Sequence, residues 1–140
     1  MFQQFLSRYT DHALTLLRIV AGLLFMQHGM QKLFGVFGGF GGTPGATAPL
    51  FSLMGVASIL ESLGGLAILL GLFTQPVAFV LSGEMAVAYL LVHLPRGLWP
   101  IQNQGELAAL YAFIFLFLAT AGGGRFSVDH LFFHKGRQQT

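Results

Sequence analysis

Residues 76–94, "PVAFVLSGEMAVAYLLVHL", decide the fold. Glu84 is the only carboxylate in this run and His93 the only imidazole; every other side chain is aliphatic, aromatic or small. A bilayer core of about 30 Å takes roughly 20 helical residues per crossing, so the run is long enough to span. Pro76 suits the first turn of such a helix, and Pro95 a stop after its last. A membrane helix that carries an acid near its middle and an imidazole at its end has a second purpose besides crossing.

Three further apolar runs accompany it, at 12–34 ("HALTLLRIVAGLLFMQHGMQKLF"), 49–73 and 105–121. The whole chain of 140 residues is 54% hydrophobic and 9% charged, with a mean hydropathy of +0.71, where soluble domains carry about a quarter charged residues. These features predict an all-α protein: a four-transmembrane-helix bundle forming a single integral membrane domain over 1–140, with spans at about 12–34, 49–73, 76–94 and 105–121. Arg18 interrupts the first run, and Gln27, His28, Gln31 and Lys32 follow it. It therefore reads as a retained helix and not a cleaved leader. The linker "GVFGGFGGTPGATAP" at 35–49 has no GK pair and is no phosphate-binding loop; it is expected to be a surface loop with Phe37 and Phe40 at the interface. In the tail 122–140, Ser127 is expected to cap a short interfacial helix that lays Leu131, Phe132 and Phe133 on the membrane. Trp99 and Tyr111 are expected as interface anchors or packing residues.

Alternating crossings put both termini and the Thr74–Gln75 turn on one side, with Arg8, Arg125, Lys135 and Arg137, and leave Lys32 and Arg96 on the other. The excess of positive charge predicts both termini in the cytoplasm, in a bacterial cytoplasmic membrane. The absence of cysteine excludes thiol, persulfide and disulfide chemistry on this polypeptide. No run of Lys and Arg could follow a phosphate backbone, so nucleic acid is not an expected partner. No HxxxH or HxxE spacing brings metal ligands together, and no metal is expected.

All three glutamates, Glu61, Glu84 and Glu106, fall inside apolar runs, where an ionisable group costs several kcal/mol unless it is paired or hydrated. At about 1.5 Å per residue, Arg18 lies about 9 Å from the cytoplasmic end of the first helix, Glu84 about 12 Å from that end of the third, and Glu61 about 18 Å along the second. These depths predict a buried ionic network of Arg18, Glu61 and Glu84. His28, Lys32, His93 and Glu106 lie near the opposite face and form a second cluster, a candidate ligand-binding or proton-transfer site, because imidazoles beside a carboxylate can relay protons near neutral pH. At about 100° per residue, Glu84 and His93 point about 180° apart on an ideal helix, which assigns them to different clusters. Arg18, Gly22, Phe25, Gly29 and Lys32 share one stripe, whose glycines allow close helix approach. No catalytic residue can be assigned from the pattern.

With these residues in place, the chain resembles the DoxX family of small four-helix membrane proteins. The resemblance is carried in order by "HGMQKLFG" (28–35), "ESLGGLAILLGLFT" (61–74), "SGEMAVAYLLVHLP" (82–95), "NQGELAALY" (103–111) and "GGGRFSVD" (122–129). The motif positions include His28, Lys32, Glu61, Glu84, His93, Glu106 and the C-terminal trio Arg125, Ser127 and Asp129. The family is named after a subunit of an archaeal thiosulfate:quinone oxidoreductase, and some bacterial relatives are linked to a membrane-associated redox complex. The resemblance therefore implies a quinone-interacting subunit of an oxidoreductase complex, with a lipid quinone as its non-covalent ligand. With no haem motif or nucleotide fingerprint, the chain would need a redox partner as its electron source. The alternative is a non-catalytic anchor or assembly factor whose tail recruits a soluble redox or sulfur-transfer enzyme. A small proton-coupled transporter using Glu61 and Glu84 would need a homo-oligomer, because four helices leave little room for alternating access.

Overall fold

The computed structural model describes residues 1–133. The last part of the expected tail, 134–140, lies outside the described residues, and Lys135 and Arg137 with it. Among the described residues the structure is helical, with no strand. The helices are α1 (Phe2–Ser7), α2 (Thr10–Phe34), α3 (Leu53–Leu70), α4 (Thr74–Ala88), α5 (Pro100–Asn103), α6 (Glu106–Ala121) and α7 (Val128–Phe133). A π turn (Tyr89–His93) and a 3-10 turn (Leu94–Arg96) extend α4, and a 3-10 turn at Phe40–Gly42 lies in the Gly-rich loop.

Among the described residues three helices are long and apolar enough to cross a membrane: Thr10–Phe34, Leu53–Leu70 and the continuous Thr74–Arg96. The fourth apolar run forms α6, an apolar helix of 16 residues, about 24 Å long. The outward faces of these helices expose Leu16, Val20, Leu63, Leu66, Phe79, Val87, Phe113 and Phe117, a density of exposed apolar side chains that suits lipid and not water. The connections at 35–52 and 97–105 gather at one end, the loop end. The N-terminus, the α3–α4 turn and residues 122–133 gather at the other, the termini end.

Local chemistry sets the helix boundaries. The second helix ends where Gly35 adopts left-handed φ 68° and its N–H returns to the Gln31 carbonyl. The third starts at Leu53 and not near Pro49, because Ser52 is its N-cap, accepting the Gly55 N–H at 3.1 Å. The fourth begins at Thr74, two residues before the expected Pro76. Its cap comes from far along the chain: Asp129 takes the N–H of Phe73 at 2.6 Å and of Thr74 at 2.8 Å. That carboxylate holds Phe73 at φ 47°, a left-handed conformation that costs a bulky residue about 1–2 kcal/mol.

The helices pack as two close pairs, α2 on α3 and α4 on α6. A Cβ on Gly22 would stand 2.5 Å from the Leu69 backbone nitrogen, and one on Gly65 2.6 Å from that of Met26, so this seam exists only with glycine at both positions. In the other pair, Ser82 Oγ donates to the Ala112 carbonyl at 2.8 Å. Phe25 joins the pairs, with its ring centroid 4.8 Å from that of Phe115 and 5.1 Å from that of Tyr111. Around it Ile68, Ala78, Leu81, Phe115 and Leu118 are essentially inaccessible.

Candidate functional site

Between the two helix pairs, in the half of the bundle nearer the loop end, lies a cavity of about 580 Å³. Its walls come from α2, α3, α4, the π turn and α6, and most are apolar: Leu53, Met54, Ala57 and Leu60 face Val80, Val87, Leu91 and Leu107 across it. Its polar groups are His28 and Lys32 from α2, Glu61 from α3, Glu84 from α4, His93 from the π turn, Gln104, and Tyr111 from α6.

Lys32 Nζ donates to both carboxylate oxygens of Glu61, at 2.6 and 2.7 Å. The Glu61 side chain is 4% exposed and that of Lys32 21%. Glu84 faces the charges of Glu61 and Lys32, yet both its carboxyl oxygens are buried and have no hydrogen-bond partner among the described residues. A buried carboxyl that no protein group satisfies costs free energy in either protonation state. In a cavity of this size, such a group is available to a ligand or to water. Tyr111, 4% exposed, lines the cavity while stacking on Phe115; it is a core residue here, whereas Trp99 is exposed.

His93 reaches this site because the helix does not stay α-helical. The N–H of Leu94 bonds back five residues to the Tyr89 carbonyl. Pro95 has no N–H to continue an α ladder, and Asn103 anchors the same stretch, its carbonyl taking the His93 Nδ1 at 3.1 Å. An i→i+5 turn uses more residues per revolution than an α turn, so His93 falls behind the ideal phase. The expectation of opposite faces for Glu84 and His93 is thereby corrected: both line one cavity. Since a carbonyl oxygen only accepts, Nδ1 of His93 must be the protonated nitrogen. In the neutral ring Nε2 is then left as a hydrogen-bond acceptor.

The expected network of Arg18 with Glu61 and Glu84 does not form. Counting depth along α3 from near Pro49, and not from Leu53, carried Glu61 too far from the loop end. Arg18 is 1% exposed and is held by backbone carbonyls. Nε donates to Gly123 (3.1 Å), Nη1 to Ile68 (2.8 Å) and Leu69, and Nη2 to Phe126 (2.8 Å). Ile68 and Leu69 belong to the last turn of α3, whose carbonyls lack helical partners. The guanidinium thus caps α3 and ties the loop at 123–126 to the bundle, with Asp129 as the acid whose charge acts on it. Glu106 is also displaced: it is exposed in the first turn of α6 and does not line the cavity. His28 lines the rim and is exposed.

In the C-terminal trio, Asp129 caps α4, Ser127 Oγ accepts the His130 N–H at 3.2 Å, and Arg125 is exposed beside a second cavity of about 660 Å³ at the termini end. Asn103 escaped the sequence reading. It is 1% exposed, its side chain donates to the Gly97 carbonyl at 2.8 Å and accepts the Gly105 N–H at 2.7 Å, and so it fixes the loop against which His93 rests. The available signal was the "NQG" turn immediately before an apolar run.

A family model described as DoxX matches residues 13–94. A protein of Haemophilus influenzae described as "Uncharacterized protein" is 39% identical over 133 residues, which cover 93% of this chain and 98% of that protein. No solved structure matches the chain.

Proposed function

The chain belongs to the DoxX family of membrane proteins, and from that premise we propose that it is the quinone-binding subunit of a membrane oxidoreductase complex, with the inter-pair cavity as the quinone site. The observation that carries the reading is the cavity itself: an apolar pocket of about 580 Å³ between membrane helices, containing a Lys32–Glu61 pair, an unsatisfied Glu84 carboxyl and the acceptor nitrogen of His93. A quinone head group offers two carbonyl oxygens; its quinol offers two hydroxyls. Protonated Glu84 and the Lys32 ammonium are donors to the former, and His93 Nε2 an acceptor for the latter. The apolar walls fit the rest of a lipid ring. Reduction takes two electrons and two protons per quinone, and the two electrons come from a partner protein.

On this reading α6 is the fourth crossing, α7 lies in the interface, and both termini face the cytoplasm, in keeping with Arg8 and Arg125 at that end. The exposed Arg125 beside the second cavity, with Asp11 and His130 on its rim, favours that end as the place where the partner docks. The same surface would serve an anchor that recruits a partner and performs no chemistry.

Quinone binding to the purified chain in nanodiscs separates these readings. A ubiquinone or menaquinone analogue is expected to bind in both redox forms, with Glu84→Leu weakening the quinone form and His93→Ala the quinol form by about tenfold or more, the loss of one hydrogen bond to a buried polar group. Glu106→Gln, outside the cavity, is expected to leave both unchanged. No binding by the parent chain, or equal binding by all the variants, refutes the quinone site.

A further inference from the structure

The surroundings of the cavity differ at its two ends. Toward the termini it is closed by Phe25, Ile68, Leu81, Phe115 and Leu118, each at most 1% exposed. These side chains come from all four long helices and are apolar, and the buried hydroxyl of Thr74, unpartnered among the described residues and a turn beyond Ala78 on α4, lines the second cavity at the termini end. Beyond the layer Arg18 spends its donors on four backbone carbonyls. Toward the loop end the lining is polar and partly exposed: His28 and Gln104 are exposed, and Lys32 and His93 half-buried. Where His28, Lys32, His93 and Gln104 gather, the cavity has both the room and the polar partners to hold water, whereas the apolar layer has neither space nor partners for it.

We propose that the cavity exchanges protons with the side of the membrane that carries the 35–52 and 97–105 connections, through His93, and is sealed from the side that carries the termini. The groups facing Glu84 are Lys32 of α2, Glu61 of α3, His93 of the π turn and Tyr111 of α6, with His28 at the rim. Lys32 and Glu61 are committed to each other, and Tyr111 is enclosed among Phe25 and Phe115. His93 is therefore the group that carries a proton. Neither Glu84 oxygen is within hydrogen-bond reach of the imidazole, so water in the cavity carries the carboxyl proton to Nε2, leaving a carboxylate and an imidazolium whose Nδ1–H stays on the Asn103 carbonyl. Nε2 then releases the proton to water at the loop-end mouth, and uptake follows the reverse order. One proton moves and no electron does. The inference needs no particular ligand, so it goes beyond the quinone reading, and either can fail without the other.

Because the chain has no cysteine, single cysteines report access without background. In sealed vesicles oriented by a tag on the N-terminus, Ala57→Cys and Ala88→Cys, both on the cavity wall, are expected to react with a charged, membrane-impermeant thiosulfonate added on the loop side. Reaction from the termini side is expected to be at least tenfold slower. Ala78→Cys, in the closed layer at 0% exposure, is expected to react from neither side. Faster labelling from the termini side, or no labelling of either wall cysteine, overturns the inference.

The role of His93 is read in ligand-free vesicles from the infrared carboxyl band that Glu84→Gln removes. After a pH step imposed on the loop side with impermeant buffer, the band is expected to respond, and His93→Ala to slow the response about a hundredfold. A response from the termini side, an unchanged rate in His93→Ala, or no Glu84 band at all overturns it. These readouts contain no quinone, so loss of quinone binding alone leaves them intact.

Discussion

Replacing Lys32 by Met removes the ammonium and keeps most of the side-chain volume, so the consequence falls on Glu61. That carboxylate is 4% exposed and receives both of its hydrogen bonds from Lys32. Breaking a buried pair from one side costs about 3–5 kcal/mol, because the remaining charge is uncompensated. A glutamate can escape that charge by taking a proton, which at pH 7 costs about 3.7 kcal/mol, from an ordinary value of about 4.3 at about 1.36 kcal/mol per unit. The smaller figure sets the cap, so Lys32→Met is expected to lose about 3–4 kcal/mol relative to the parent at pH 7. The sign of the pH dependence follows. In the variant the folded state holds one proton more than the unfolded state, so stability falls as pH rises. At pH 5 the same arithmetic leaves a deficit of about 1 kcal/mol. The assay is reversible unfolding in mixed micelles at both pH values, each variant measured against the parent. Lys32→Met/Glu61→Leu removes both charges and is expected to recover to within about 1 kcal/mol of the parent. A deficit below about 1 kcal/mol at pH 7, an equal deficit at pH 5, or a double variant no better than the single one refutes the enclosed pair.

Arg18→Lys keeps the charge but replaces a planar fork of five donors by a single ammonium, which cannot reach carbonyls on α3 and the 123–126 loop together; a loss of about 3 kcal/mol is expected in the same assay, with faster proteolysis after residue 122. Asp129→Ala leaves the N–H groups of Phe73 and Thr74 uncapped and is expected to cost about 1–2 kcal/mol. Adding Phe73→Gly should return about 1 kcal/mol of it by relieving the left-handed strain, and a further loss on adding it would contradict the capping account. Deletion of Leu90 removes the residue that the π turn accommodates and is expected to restore an α-helical register in which Glu84 and the imidazole stand eight positions, about 80°, apart, so the imidazole stays on the cavity. Helix content by circular dichroism and quinol-analogue binding should both persist; a fall in binding of about tenfold or more would refute this account of the register.

The helices were legible because apolar runs of spanning length leave few alternatives: 12–34, 76–94 and 105–121 each contain a helix close to the expected bounds. Their ends were legible only where the cap is local. Gly35 and Ser52 lie next to the helices they bound, whereas the start of α4 is fixed by Asp129, more than fifty residues on. A sequence window does not contain that information. Similarly, Arg18 in an apolar run calls for a counter-charge, and the glutamates are the obvious candidates. The structure satisfies it with the unpaired carbonyls of a helix end, groups that every residue carries and that no residue type announces.

The site was legible as a set of polar residues and illegible as an arrangement, for one physical reason. Depth and phase arithmetic treats each helix as ideal and known from its first residue. A four-residue error at the start of α3 moves Glu61 by about 6 Å, enough to assign it to Arg18 instead of Lys32. A single π turn rotates His93 by much of a quadrant, enough to bring it onto the cavity that Glu84 also lines. Both departures arise beside a proline or a serine cap near the loop end, and there the cavity lies. The ideal segments, such as α6 beyond Tyr111, pack tightly and carry no polar group inward. The two departures together set an unpaired carboxyl and a base on one cavity, so the irregular backbone at the loop end is what makes that end capable of proton chemistry.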